Sequence, residues 1–345
     1  MSTTCKSPRK VLQAAYVVAK ESLPAHAHRY SPKKFTQPQL FACLVLKAHL
    51  RTDYRGVTVF LEDLSELQRC IELKKVPHFT TLQKAAARLL RNSQVWRLLN
   101  VTVRRVMQRK RRVPLAAADS SGFDVTHASR YYVWRAKRMG LPPKCITFRR
   151  YPKLHVIIDT RNHLILSLFG TRGPTPDVHQ LSRLLDQLAD VVRIDHLLAD
   201  AGYDSEANHV LLREEHGIRS TIPPKLGRPC KEGVLPSGRY RRLMKQRFNT
   251  AAYRQRSQVE TVMSMLKRNL DGCVRARTYW AQIREMALKV LTHNLMILWR
   301  SSQVFYRAAA FPFARVYSAG WVCGRGARWM SRPTGRLILV FSSDV

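Results

Sequence analysis

The segment Tyr253-Arg254-Gln255-Arg256-Ser257-Gln258-Val259-Glu260, with Lys267 seven residues on, sets a phenol, two cations and a carboxylate at helical spacing. At about 100° per residue, positions 253, 256, 260 and 267 share about 60° of arc, one narrow stripe of a helix. Val259, Val262, Met263, Leu266 and Leu270 fall on the adjacent arc, the one expected to be buried. Such a helix presents a carboxylate flanked by cations along its rim. Two aspartates complete the set: Asp119 closes the apolar run 115–118, and Asp200 closes the run 196–199. Three carboxylates on a rigid frame suit hard divalent cations, which prefer oxygen ligands. Two such cations about 3.5–4 Å apart activate a nucleophile and stabilise the attacking and leaving oxygens of a phosphodiester. Asp119, Asp200 and Glu260 are therefore the candidate catalytic and metal-ligating residues. Each aspartate alone also fits a turn or a helix cap, and Asp204, just before Ser205 and a helical stretch, fits a cap well. The bland reading of the stripe is a surface helix of mixed charge; one acid paired with cations spaced to hold phosphates argues against it.

Those side chains need a frame, and the pattern after residue 112 supplies it. Strands are expected at 115–118, 154–158, 164–169, 196–199 and 218–222, with a turn at 159–162. Helices are expected at 177–189, 205–216 and 250–270. Three strands, helix, strand, helix, strand, helix is an α/β order. It matches a ribonuclease-H-like arrangement, a mixed five-stranded sheet flanked by helices. Residues 1–112 read as helices only, an all-α N-terminal domain. Thr36-Gln37-Pro38 starts one helix, residues 57–73 form a second with Pro77 beyond it, Thr80-Thr81 starts a third, and 93–108 form a fourth. The helical pattern alone favours a plain bundle over a DNA-end reader, and the basic charge narrows that gap. The run 109–112 before Pro114 marks a junction. The expected division is 1–112 helical, 113–300 catalytic with a basic insertion around 223–249, and 301–345 a basic tail without an assignable fold.

Composition points the same way. Sixty Lys and Arg against twenty-three Asp and Glu leave a formal charge of +37, spread along the chain. A body this basic attracts polyanions, because each neutralised phosphate releases a counterion. No amphipathic helix with a basic face stands out, which favours nucleic acid over membrane. The seven cysteines are scattered without a C-x-x-C pair, against a zinc ribbon or a disulfide scaffold. They read as reduced thiols of a cytosolic protein. No signal-peptide core precedes them, and the apolar stretch 286–299, interrupted by Lys289 and His293, is too short to span a bilayer. Two basic stretches, 130–153 with interleaved aromatics and 225–256, add candidates. The expected DNA-binding residues are Tyr253, Arg256, Lys267, Arg135, Arg138, Arg228, Arg241 and Arg242, against the alternative of solvated loops.

The motifs resemble those of DDE transposases of prokaryotic insertion sequences, in the group with a Tyr-x2-Arg-x3-Glu-x6-Lys signature. Tyr253, Arg256, Glu260 and Lys267 match every gap, Asp200-Ala201-Gly202-Tyr203-Asp204 matches the second-aspartate box, and Asp119-Ser120-Ser121-Gly122 the first. The resemblance covers about residues 115–299. It implies a ribonuclease-H-like core that uses two Mg²⁺ ions, with Mn²⁺ as a substitute, to cleave DNA and transfer strands. It implies double-stranded DNA as partner, both terminal inverted repeats and target, contacts from Tyr253, Arg256 and Lys267 near the scissile phosphate, and a homodimer or higher oligomer on paired ends. The setting it implies is the nucleoid of a prokaryotic cytoplasm. Two other readings stay open: a ribonuclease-H-like nuclease without strand transfer, and a non-catalytic DNA-binding regulator. Residues 301–345 are open to two readings, a flexible basic tail or a C-terminus altered relative to the family, and the second leaves an inactive transposase copy as a further alternative even with an intact triad.

Overall fold

Apolar runs become strands wherever both faces are covered. Five make the main sheet: β1 (Ala116–Gly122), β2 (Pro152–Asp159), β3 (Ile165–Arg172), β4 (His196–Ala199) and β5 (Arg219–Thr221). The computed structural model that shows this describes residues 4–30, 32–108, 111–125, 134, 138–140, 151–188, 190, 192–225 and 235–301. The strand order is β3-β2-β1-β4-β5. β1, β2 and β3 pair antiparallel, while β4 and β5 run parallel to β1. Flanked by helices, this is the expected ribonuclease-H-like mixed sheet. Strands β2 and β4 are buried almost throughout, so they read as continuous apolar runs rather than alternating ones.

The first strand runs further than its apolar residues suggest. Parallel pairing of β1 with β4 stops at Ala118 opposite Ala199, but Ser120, Ser121 and Gly122 continue against His155, Leu154 and Lys153 of β2. One remaining neighbour is enough to keep a polar segment extended. Asp119 therefore lies inside a strand rather than at its end, and it still emerges where the parallel partner leaves off.

The N-terminal helices are α1 (Pro8–Ser22), α2 (Gln37–His49), α3 (Tyr54–Asp63), α4 (Ser65–Cys70), α5 (Phe79–Leu89) and α6 (Asn92–Met107). A capping box sets the start of α2: the Thr36 hydroxyl accepts from the Gln39 N–H, and the Gln39 side chain accepts from the Thr36 N–H. The single helix expected over 57–73 is two, broken at Leu64 with φ −116° and ψ 78°. The Gln68 amide donates to the Leu61 carbonyl at 2.7 Å and covers a group that the break leaves free.

On the sheet side lie α7 (Leu181–Asp186), α8 (Glu206–Val210), which runs into a π-turn, and α9 (Arg239–Gln246). The long helix expected over 250–270 is in three pieces: α10 (Thr250–Tyr253), a 3₁₀ turn at Arg254–Arg256, and α11 (Ser257–Leu270). No Gly or Pro causes this. The 3₁₀ turn lies against β1 and β4, and tertiary packing overrides an unbroken helical phase. The four signature residues are thus not one continuous α-helical stripe.

The last described helix, α12 (Tyr279–Ser301), contacts α1, α2 and α6 as well as β2 and β3. The residues that interrupted its apolar run fasten it in place. Lys289 donates to the carbonyls of Asp271 and Cys273 at 2.6 Å each, and His293 Nε2 donates to the His163 carbonyl at 3.0 Å. The expected junction at 109–114 lies partly outside the described residues, and the expected tail lies outside them from residue 302 on. Among the described residues, no helix is long and apolar enough to cross a membrane.

Candidate active site

Strand register brings the two aspartates together. Ala118 and Ala199 are partners, so Asp119 and Asp200 are the next residues on adjacent parallel strands. Glu260 lies in the first turn of α11, which packs on β1. Arg256 joins the two elements. Its Nη1 donates to Asp119 Oδ2 at 3.4 Å, and its Nη2 donates to Glu260 Oε1 at 2.5 Å. The structure thus brings Asp119, Arg256 and Glu260 into one cluster, with Asp200 beside it. Asp119, Glu260 and Lys267 line a common open groove with Arg268.

Burial raises the Asp119 carboxyl above its ordinary range. The Ser120 N–H, 2.7 Å from Asp119 Oδ1, and the Arg256 guanidinium oppose this, while Asp200 and Asp177 add to it. Burial likewise raises the Tyr253 phenol, with Arg256 opposing and the two aspartates adding, so it stays protonated and able to donate. Its ring lies 5.8 Å from the Arg256 guanidinium. Lys267 Nζ sits 5.4 Å from the centre of the Phe123 ring and reaches the groove from the far side of Glu260.

A fourth carboxylate was not anticipated. Asp177, expected only as a helix start, takes the Ser120 hydroxyl at 2.9 Å, the Lys153 ammonium at 2.6 Å and lies 3.4 Å from His155 Nδ1. It also faces Asp200 across Gly202: a Cβ there would be 3.5 Å from Asp177 Oδ2 and 3.9 Å from Asp200 Oδ2. Beneath this group the Tyr203 hydroxyl is buried beside Ser120 without a hydrogen bond of normal geometry. The only sequence signal for Asp177 was its acid type after Pro174-Thr175-Pro176, a loop without periodicity. Asp204 is also not the helix cap expected. Ser205 caps α8 by accepting from the Asn208 N–H, whereas the Asp204 side chain is fully buried against Arg241 at 2.8 Å.

Arg241, expected in the DNA-binding set, donates to Asp204 and to the Lys225 carbonyl. Arg242 is exposed, with Nε on the Pro236 carbonyl at 3.2 Å. Arg138 is exposed and stacks over Trp134 at 5.2 Å. Arg135 and Arg228 lie outside the described residues.

A mixed sheet in this order, with one acid within a central strand, one just after the adjacent parallel strand and one on a helix packed beside them, defines the class as ribonuclease-H-like. Residues 111–295, more than half of the chain, match the family described as the transposase DDE domain, and the chain belongs to that family. No curated protein matches the sequence. A solved structure to which it is similar is a piggyBac transposase synaptic complex with hairpin DNA, at a TM-score of 0.42 and 12% identity over 85% of this chain and 71% of that one.

Proteins of this family generally use divalent metal ions. The donor set here fits one by chemistry: hard carboxylate oxygens on a rigid frame, with a half-buried Asp119 whose charge calls for a cationic partner. As the side chains lie, no three His, Cys, Asp or Glu among the described residues converge on one ion. Between Asp119 and Glu260 the cation is Arg256, and an ion could take those two carboxylates only in exchange for it.

Proposed function

We propose that this protein is the transposase of a prokaryotic mobile element, which binds the element's terminal repeats and carries out metal-dependent DNA cleavage and strand transfer. The supporting observation is the convergence of Asp119 and Glu260 on one cationic position, with Asp200 emerging beside Asp119 from the neighbouring strand. Asp119, Asp200 and Glu260 would hold two Mg²⁺ ions, or Mn²⁺, which when bound supply nucleophile activation and charge stabilisation at the phosphodiester. The chain's own residues do the rest. β1 and β4 fix the two aspartates, and α11 offers Glu260 at its exposed first turn. Protonated Tyr253 can donate to a phosphate oxygen, and Lys267 places a compact positive charge in the same groove. Excess charge elsewhere steers and holds the duplex, so affinity should fall steeply with salt.

The test uses the purified full chain, a duplex ending in the terminal inverted repeat that flanks the gene, and Mg²⁺ or Mn²⁺. Nicked and joined products are expected. Asp119→Asn, Asp200→Asn and Glu260→Gln should each abolish both while the duplex is still bound. Cleavage at the parent rate by any one of them would remove that residue from the site. Nicking without joined products would favour a simple nuclease.

A further inference from the structure

We infer that Arg256 is a positioning residue that occupies the cation site between Asp119 and Glu260 in the metal-free protein, and that it exchanges those carboxylates for DNA phosphates when a divalent ion enters. The inference rests on the metal-carboxylate reading above and adds to it a coupling between metal and DNA. Arg256 reaches carboxylates on two different elements, Asp119 on β1 at 3.4 Å and Glu260 on α11 at 2.5 Å. It thereby supplies the positive charge that a half-buried Asp119 needs. A guanidinium cannot shed its charge by losing a proton at any ordinary pH, so it cannot stay beside an incoming divalent ion. It has to move, and its side chain keeps an exit: 20% of it is exposed. Its two carboxylate partners line a groove with Lys267 and Arg268, where a DNA backbone would find further cations. A released guanidinium brings forked donors suited to two phosphate oxygens. The exchange is reciprocal: metal frees Arg256 for phosphate, and phosphate frees the carboxylates for metal, so each ligand should tighten the other by the same factor.

The experiment measures Mn²⁺ affinity of the full chain, by the electron spin resonance signal of free Mn²⁺, with and without the terminal-repeat duplex. Without DNA, Arg256→Ala should bind Mn²⁺ at least about tenfold more tightly than the parent, the effect of removing one charge-assisted competitor. Arg256→Gln, closer in shape, should shift the same way. Adding duplex should tighten Mn²⁺ binding in the parent and have much less effect in either variant. Arg268→Ala removes an equal charge from the same groove without touching the carboxylates, and should change affinity by no more than about twofold. Equal Mn²⁺ affinity in parent and both Arg256 variants, with binding still abolished by Asp119→Asn, overturns the inference and leaves the metal site intact. A tightening in Arg268→Ala as large as in Arg256→Ala also overturns it, since bulk charge would then suffice. Mn²⁺ binding unaffected by Asp119→Asn, Asp200→Asn and Glu260→Gln overturns the carboxylate reading itself, and this inference with it.

Discussion

Asp200 and Asp204 are four residues apart in one box and serve opposite ends. Asp200 is exposed beside Asp119, whereas the Asp204 side chain is wholly buried, accepting from the Arg241 guanidinium at 2.8 Å and the Lys225 N–H at 2.7 Å. Removing one partner of a buried pair leaves the other charge uncompensated. Asp204→Asn should therefore lower unfolding stability by about 3 kcal/mol, read as a shift of the urea midpoint. Asp200→Asn, on an exposed side chain, should stay within about 0.5 kcal/mol of the parent. Equal losses would mean that Asp204 is not a structural anchor. Asp119, Asp200 and Glu260 were singled out in the sequence because apolar runs and helical spacing are local signals. Asp177 was not, because Ser120, Lys153 and His155 come to it from two other strands. For the same reason nothing in the run 239–247 marked Arg241 as engaged by a buried acid, although its neighbour Arg242 is exposed.

Elements were legible to the degree that their signals were local. The strand at 196–199 and the start of α2 agree with expectation, the first from a bounded apolar run and the second from its capping box. The break at Leu64 and the 3₁₀ turn at Arg254–Arg256 left no Gly or Pro to read, and α1 and α12 were not placed at all. α12 hid behind polar residues whose partners lie far away in sequence. Asn294 shows the principle. β3 is an edge strand, and at Ile165 its backbone is paired by a side chain: the Ile165 N–H donates to Asn294 Oδ1 at 3.0 Å, and Asn294 Nδ2 donates to the Ile165 carbonyl at 2.7 Å. All of these atoms are buried, so truncation leaves a donor and an acceptor without partners. Asn294→Ala should cost about 2–4 kcal/mol, two unsatisfied groups at ordinary penalties. Denaturant unfolding at the parent's midpoint would show that α12, and not this amide, secures the edge. α12 also packs on α1, α2 and α6, so it touches both the helical region and the sheet.

At the scale of the whole molecule, sixty cations against twenty-three acids mean that most positive charges have no acidic partner, so the fold rests on its interior while the surface repels itself. That interior holds neutral imidazoles. Burial pushes His196, His209 and His293 down to about 4. His196 meets Thr221 Oγ1 at 2.8 Å, His209 Nδ1 meets Ser220 Oγ at 2.7 Å, and His293 Nε2 donates to the His163 carbonyl at 3.0 Å. The second nitrogen of His293 is buried without a partner, so a proton added there brings both a charge and an unsatisfied donor into the core. In the unfolded chain these rings take up protons near pH 6.5; in the folded one they resist until about 4. Over that window the unfolded state binds more protons, so stability falls as pH falls. A shift of that size corresponds to about 3 kcal/mol for each ring. Three together approach the whole stability of an ordinary domain, about 5–15 kcal/mol. The midpoint of urea unfolding should therefore be level above about pH 7 and decline steadily from about pH 6.5 towards pH 4. His293→Gln, whose amide can donate to the same carbonyl without titrating, should make that decline shallower. A midpoint unchanged between pH 7 and pH 5 would show that these rings are protonated in the folded core, and that burial does not hold them neutral.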